Sequence, residues 1–477
     1  MSQRITRRSV LTRLAATGAL MAGATACGTQ RRAGPLPTRR SSRRAAERPP
    51  NIVFILADDL GYGDLGCYGQ RQIQTPRLDA VAAEGVRFTQ CYAGSTVCAP
   101  SRCVLMTGLH TGHCRIRGNA RVPLLDEDVT VAEVLRGAGY RTGIIGKWGL
   151  GEPETTGIPN RQGFDYWFGY LNQGHAHNYY PEYLWRNEER VLLDNLEDPD
   201  HPRVSTKRVE YSHDLFTQEA LEFVAQERGR PFFLYLAYTI PHANNERGRL
   251  EGDGMETPSY EPYEDRPWPT PQKGHAAMIT RMDRDIGALI DRLRQLGLEQ
   301  DTILFFSSDN GPHKEGGADP EFFQSRGPLR GIKRDLYEGG IRVPMLVWGP
   351  GRVPAGAVSE TVWTFWDFLP TAANLAGASC PEGLDGVSVV RAIHDPRNRY
   401  RFHDGLYWEF HERAFQQAVR MADWKAVRPA QDQPLELYDL STDVGETTDI
   451  AGSHSDIVAR IEDYLAGART PSEHWPV

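Results

Sequence analysis

Asn51-Ile-Val-Phe-Ile-Leu-Ala-Asp-Asp59 joins a continuous apolar run directly to a pair of acids. A run of that length, without alternation, suits a central parallel strand buried on both faces. Such a strand delivers Asp58 and Asp59 to the carboxyl edge of its sheet, where open α/β sheets bind ligands.

Three further runs repeat the pattern. Thr142-Gly-Ile-Ile-Gly146 ends in Lys147-Trp148, Phe232-Phe-Leu-Tyr-Leu-Ala237 is followed by Pro241-His242, and Ile303-Leu-Phe-Phe-Ser307 ends in Asp309-Asn310. Helical patterns separate them. Thr75-Pro76 opens a helix that stops at Gly85, Thr130 caps one that ends at Gly139, and Met278, Met282, Ile286, Leu289, Leu293 and Leu296 mark a long amphipathic helix ended by Gly297. This alternation predicts an α/β fold: a large, mostly parallel sheet flanked by helices, with polar residues from four strands at one edge.

A single aspartate at a strand end is commonly a cap or turn residue. Two strands that each end in adjacent oxygen donors say more. Asp58, Asp59, Asp309 and Asn310 offer hard ligands with no imidazole or thiolate among them, a set for Ca²⁺ or Mg²⁺ rather than zinc. Ca²⁺ is favoured because it tolerates irregular, carboxylate-rich shells.

Between the first and second runs lies Ser95-Thr-Val-Cys-Ala-Pro-Ser-Arg-Cys-Val-Leu-Met-Thr-Gly108. Pro100 fits the first position of a helix whose apolar body is Val104, Leu105 and Met106. Cys98 then precedes a helix N-terminus, where unpaired N–H groups favour a thiolate or a bound oxyanion. Position alone also fits a small buried structural cysteine.

Cys-x-Pro-Ser-Arg followed by a short helix and Thr107-Gly108 resembles the activation motif of the type I, formylglycine-dependent sulfatases of the alkaline phosphatase superfamily, of arylsulfatase and N-acetylgalactosamine-6-sulfatase type. The resemblance continues in Gly139-Tyr-Arg-Thr-Gly-Ile-Ile-Gly-Lys147-Trp, in Tyr238-Thr-Ile-Pro-His242 and in Gly331-Ile-Lys333-Arg-Asp-Leu-Tyr-Glu338, and covers the chain from residue 51 almost to its end. It implies that Cys98 is oxidised to formylglycine by a formylglycine-generating or sulfatase-maturating enzyme and also ligates the metal. Asp58, Asp59, Asp309 and Asn310 would hold Ca²⁺ against it. One hydroxyl of the hydrated aldehyde would attack sulfur and the other would later expel sulfate, an exit that a serine ester lacks. Arg102 would hold the hydrate, Lys147 and Lys333 would balance charge, and His242 or Lys333 would protonate the leaving alcohol. Taken without the resemblance, the two lysines read as surface residues and Arg102 as a helix salt-bridge partner.

The implied activity is hydrolysis of a sulfate monoester of a sugar or an aryl alcohol. Its rivals are a formylglycine-dependent phosphonate monoester or phosphodiester hydrolase and a catalytically impaired carbohydrate-binding homologue. The family usually carries Lys-x-His where this chain has Lys147-Trp-Gly149. His175 and His177, in the loop Asn172-Gln-Gly-His-Ala-His-Asn-Tyr-Tyr-Pro181, are the candidates to replace that histidine or to contact substrate.

The first fifty residues hold eleven arginines and a single acid, Glu47. Arg7-Arg8-Ser9-Val10-Leu11 reads as a twin-arginine export signal, Leu14 to Ala26 as its apolar core, and Ala24-Thr-Ala-Cys27 as a lipoprotein cleavage site with Cys27 as lipid anchor. The expected organisation is an export signal over 1–27, a disordered arginine-rich tether over 28–49, a catalytic domain over 50–378 and a C-terminal subdomain over 379–477. The product would be exported by the twin-arginine translocon to the periplasm, cell envelope or exterior. Removing those fifty residues leaves 43 basic against 61 acidic residues, a formal charge of −18. That field opposes DNA at long range, and the arginine run lacks interleaved aromatic residues, so no nucleic-acid partner is expected.

Seven cysteines without a paired Cys-x-x-Cys set fit neither zinc nor a disulfide scaffold, though one or two bridges suit an oxidising exterior. No interior stretch reaches the ~20 apolar residues of a membrane span. Val343 to Gly349 reads as the last strand of the main sheet and Asp367 to Gly377 as a helix. Beyond them Gly405–Phe410, Gln417–Met421, Trp424–Val427 and Leu435–Asp439 read as a small antiparallel sheet, closed by a helix from Ile457 to Leu465.

Overall fold

The computed structural model describes residues 48–226 and 229–477. The export signal, Cys27 and nearly all of the tether lie outside the described residues. The main sheet is built, in chain order, from β1 (Asn51–Ala57), β2 (Val86–Tyr92), β3 (Arg141–Lys147), β4 (Tyr166–Tyr170), β5 (Tyr183–Arg186), β6 (Glu189–Leu192), β7 (Phe232–Ala237), β8 (Thr302–Ser308), β9 (Arg342–Trp348) and β10 (Ala357–Ser359). They lie in the order β10-β2-β9-β8-β1-β7-β3-β4-β5-β6, with Trp363–Thr364 also paired to β2. The centre, β8-β1-β7-β3-β4, is parallel throughout, and β9, β5 and β6 run antiparallel to their neighbours.

All seven residues of β1 are buried, and its six apolar ones divide between two cores. Ile52, Phe54 and Leu56 face α2 (Cys98–Thr107), α3 (Val131–Gly137) and α6 (Phe368–Ala376). Val53, Ile55 and Ala57 face α1 (Pro76–Glu84), α4 (Ser212–Ala225) and α5 (Thr270–Gln295). Helices thus cover both faces, which forces ligands to the edge.

A second sheet of β11 (Leu406–Phe410), β12 (Gln416–Met421), β13 (Trp424–Arg428) and β14 (Glu436–Asp439) is antiparallel in that order. Trp408, Phe410, Ala418 and Val427 join the core around α2, while Tyr407, Val419, Ala426 and Leu437 pack on Ile461 and Leu465 of α7 (Ser455–Gly467).

Three expectations need correction. β9, read as the last strand, lies inside the sheet between β8 and β2, and β10 follows it. Cys98 is the first residue of α2 and Pro100 its third, because extended Val97 takes the cap position; a proline there costs no bond, since first-turn N–H groups have no helical acceptor. Cys67, Cys91, Cys98, Cys103, Cys114 and Cys380 are all free, so among the described residues none of the one or two bridges that an oxidising exterior would allow is formed. No helix among these residues is long and apolar enough to cross a membrane.

Candidate active site

Four strand ends and one helix start meet at the carboxyl edge. After β1 the chain turns through Asp58 and Asp59, and Asp59 takes φ +68°, a left-handed conformation uncommon for a residue with a side chain. Residues at the end of β8 hold that turn. The Asp59 N–H donates to Asp309 Oδ1 (3.1 Å) and the Leu60 N–H to Ser308 Oγ (2.8 Å). Both acids are thereby kept inside, at most 1% exposed.

Each acid meets a lysine. Lys147, the last residue of β3, donates to Asp58 Oδ2 (2.6 Å), and Lys333 donates to Asp59 Oδ2 (2.7 Å). Both lysines are buried, which removes the surface-residue reading. Arg102, in the first turns of α2, forks Nε and Nη2 onto Asp309 Oδ2 (3.0 and 2.8 Å) and donates from Nη1 to the Lys147 carbonyl (2.8 Å). One guanidinium therefore fixes the helix against the ends of β8 and β3.

Burial resists every charge here, and its balance against the neighbouring charges decides each outcome. Against burial, Lys147, His242 and Arg102 hold the Asp58 carboxyl far below the usual range, and Lys333 does the same for Asp59. Lys147 and Lys333 are raised in return. Asp309, buried beside Asp58, is pushed up to about 7 in spite of Arg102. Burial also pushes the Cys98 thiol up, in spite of Lys147 and Lys333 and with Asp58 and Asp309 adding to the rise. The helix start therefore does not make Cys98 a ready thiolate, and the unmodified side chain is a poor nucleophile.

His242 follows β7. Its Nδ1 lies 2.7 Å from the Ala243 carbonyl and so carries the proton, an assignment from partners, which leaves Nε2 to accept from Lys333 Nζ at 3.2 Å. Burial and then Lys333 lower its pKa to about 3. His177 stacks on this ring at 4.9 Å and bonds Glu246 through Nδ1 (2.9 Å). His175 is held differently, its ring 5.1 Å from that of Tyr170 and 4.6 Å from that of Tyr183, and burial lowers its pKa to about 4.

Asp58 Oδ1 and Asn310 Oδ1 are buried without any hydrogen-bond partner. Ligand atoms of Asp58, Asp59, Cys98 and His242 lie within 4.8 Å of one another. Buried oxygens left without donors are what a hard cation satisfies, so the site fits Ca²⁺ or Mg²⁺. Of the other expected ligands, Asp309 has one oxygen on the Asp59 N–H and the other on Arg102.

Sequence reading missed Glu315, which joins Lys333 (3.2 Å) to Arg334 (2.7 Å), and Asn119, whose Oδ1 accepts from the Ala99 N–H (3.0 Å) at the start of α2. Glu315 lies five residues after Asn310 and was open to discovery by proximity. Asn119 carries no local signal.

The sulfatase family model matches residues 50–378, and a model described as N-sulphoglucosamine sulphohydrolase, C-terminal, matches 332–470. Arylsulfatase A of Homo sapiens is 34% identical over 460 residues, covering 86% of this chain and 84% of that protein. N-acetylgalactosamine-6-sulfatase of Sus scrofa is 33% identical over 377 residues, covering 73% of this chain; the match spans 66% of that relative's length. The crystal structure of Ps i-CgsB in complex with k-i-k-neocarrahexaose aligns with a TM-score of 0.77 at 28% identity, covering 90% of this chain and 95% of that one. A match to the family model over most of the chain and relatives at one third identity lead to one conclusion: the chain belongs to the sulfatase family of sulfuric ester hydrolases.

Proposed function

We propose that this chain releases inorganic sulfate from a sulfate monoester, using a formylglycine derived from Cys98 and a divalent cation, Ca²⁺ in preference to Mg²⁺. The observation that carries the reading is convergence. Cys98, Asp58, Asp59, Lys147, His242, Lys333, Asp309 and Asn310 meet at one sheet edge, with two buried oxygens left without partners. A bound cation supplies positive charge against the carboxylates and polarises sulfuryl oxygens. Formylglycine supplies a hydrated aldehyde, with one hydroxyl for attack on sulfur and one for release of sulfate.

The remaining steps belong to fixed side chains. Lys147 and Lys333, kept cationic by Asp58 and Asp59, face the charge that develops on the sulfuryl oxygens. Arg102 positions the first turn of α2, and with it residue 98, against β8. Lys333 holds the transferable proton for the leaving oxygen. His242 Nε2, an acceptor by virtue of the Nδ1 bond to Ala243, steers that ammonium.

Names among the relatives favour a sulfated saccharide: one is an N-acetylgalactosamine-6-sulfatase, and a solved relative holds a neocarrahexaose. The proposal extends to a catalytic domain over 50–378 with a C-terminal subdomain over 379–477. It also extends to export through the twin-arginine pattern to the periplasm or cell envelope, after an enzyme of the formylglycine-generating or sulfatase-maturating kind has acted on Cys98. The test compares sulfate release from 4-nitrophenyl sulfate with hydrolysis of bis(4-nitrophenyl) phosphate. Faster sulfate release, abolished by Cys98→Ala, is expected. Faster phosphodiester hydrolysis would transfer the assignment to the phosphodiesterase rival, and saccharide binding without any turnover to the carbohydrate-binding one.

A further inference from the structure

Gly149 stands where the family motif has a histidine, and the structure shows what fills the space. Its N–H continues the β3–β4 pairing by donating to the Leu171 carbonyl (3.0 Å), and its φ of +78° favours glycine. A Cβ built on Gly149 would lie 2.1 Å from Gln173 Nε2 and 2.9 Å from Gln173 Cδ. The carboxamide of Gln173 thus occupies the room a side chain at 149 would need.

That carboxamide is buried, and neither Nε2 nor Oε1 has a hydrogen-bond partner. Leaving both ends of a buried amide unpaired is costly unless a ligand or water completes them. The loop that carries it is fixed: Asn172 Oδ1 accepts from the His175 N–H (2.9 Å), and Asn172 Nδ2 donates to Glu152 (3.2 Å). Gln173 lines a cavity of about 210 Å³ together with Asn119, Arg121, Gly149, Glu152 and Arg203. At ~30 Å³ per water this is room for about seven waters, on the order of one pyranose ring. One wall of the cavity, Asn119, accepts from the N–H of Ala99, the residue next to Cys98.

We infer that Gln173 is the substrate-positioning residue of this chain, binding the alcohol side of the ester through a sugar hydroxyl or acetamido group next to the sulfate. The inference rests on the sulfatase reading and specifies its substrate. An amide with one free donor and one free acceptor is complementary to a group that both accepts and donates. A second sulfate would satisfy only the donor, and a plain aryl ring neither. Gly149 and Gln173 therefore form a reciprocal pair in which the small residue makes room for the polar one.

The experiment compares the full-length enzyme with Gln173→Met, which keeps volume and removes both hydrogen-bonding atoms. Galactose 2-, 4- and 6-sulfates and 4-nitrophenyl sulfate are the probes. The variant is expected to raise KM at least about tenfold on a galactose sulfate that the wild type cleaves, with at most a threefold change on the aryl ester. Equal effects on both classes, or none, would overturn the inference, as would a wild type that cleaves only the aryl ester. Failure to release sulfate from any probe would instead count against the sulfatase reading. In that event binding of the galactose sulfates by ligand-observed NMR still decides on Gln173: binding weakened by Gln173→Met supports the role, and binding unchanged, or absent from the wild type, overturns it.

Discussion

Arg102 is fully buried and bonds outside its own helix, to Asp309 just past β8 and to the Lys147 carbonyl at the end of β3, so its removal strands a charge. Arg102→Met should cost about 3–5 kcal/mol in denaturant unfolding, because Asp309 stays buried without its cation. Arg102→Lys should recover part of that loss, since it keeps the charge and forfeits the fork. The unpartnered oxygens of Asp58 and Asn310 give a second expectation. Millimolar Ca²⁺ should raise Tm, by the equivalent of about 2.7 kcal/mol at a hundredfold excess over Kd, and EDTA should reverse it. Asp58→Asn should weaken the effect, and an identical calcium response in that variant would remove Asp58 from the ligand set. Asp58 and Asn310 were legible because each follows an apolar run, and Arg102 through the motif that begins at Cys98. Gln173 and Asn119 were not, since loop residues carry no periodicity and their partners are set by distant pairing.

At the scale of elements, local chemistry read from sequence matches the structure where a signal was complete. Thr130 and Glu133 form a reciprocal capping box at the start of α3, the helix predicted from Thr130. Thr130→Ala should cost about 1 kcal/mol in thermal or denaturant unfolding. β2 escaped notice because Val86-Arg-Phe-Thr-Gln-Cys-Tyr92 alternates, its Arg87, Thr89 and Gln90 being only partly buried. β4 is a short aromatic run interrupted by Gly169, packed so closely that a Cβ there would meet the Gly146 carbonyl at 1.9 Å. Neither resembles the unbroken runs that announced β1, β7 and β8. The segment before β11 adds a titratable contact: His403 Nε2 lies 2.8 Å from Asp367 Oδ1 in the turn before α6. Burial opposes protonation of His403, and Asp367 outweighs it, so its pKa rises above 6.5. A group raised on folding gives stability that is complete below its unfolded pKa and lost as pH climbs through the folded one. Stability should therefore fall as pH rises above about 6.5, and His403→Gln should flatten that slope.

For the whole molecule, the joint between the two sheets is ionic as well as apolar. Lys425 of β13 bridges Glu338 (3.1 Å) and Glu446 (3.2 Å), all fully buried, and Glu338 also pairs with Arg342 of β9 (3.2 Å) and Tyr92 of β2 (2.6 Å). Lys425→Met leaves two acids facing each other and should cost about 3–5 kcal/mol, with both sheets lost in one unfolding transition. Separate melting of the C-terminal sheet would contradict that coupling. The two-sheet organisation was readable from the change of pattern near residue 380, but the placement of β9 inside the main sheet was not, because only long-range pairing with β8 and β2 fixes it. Within this scaffold the proposed chemistry rests on one group, the side chain of residue 98. Its most direct test is the mass of the proteolytic peptide containing Cys98 from protein made in its native host. The mass of the aldehyde or its hydrate is expected; an unmodified thiol in folded protein that still releases sulfate would contradict a formylglycine nucleophile.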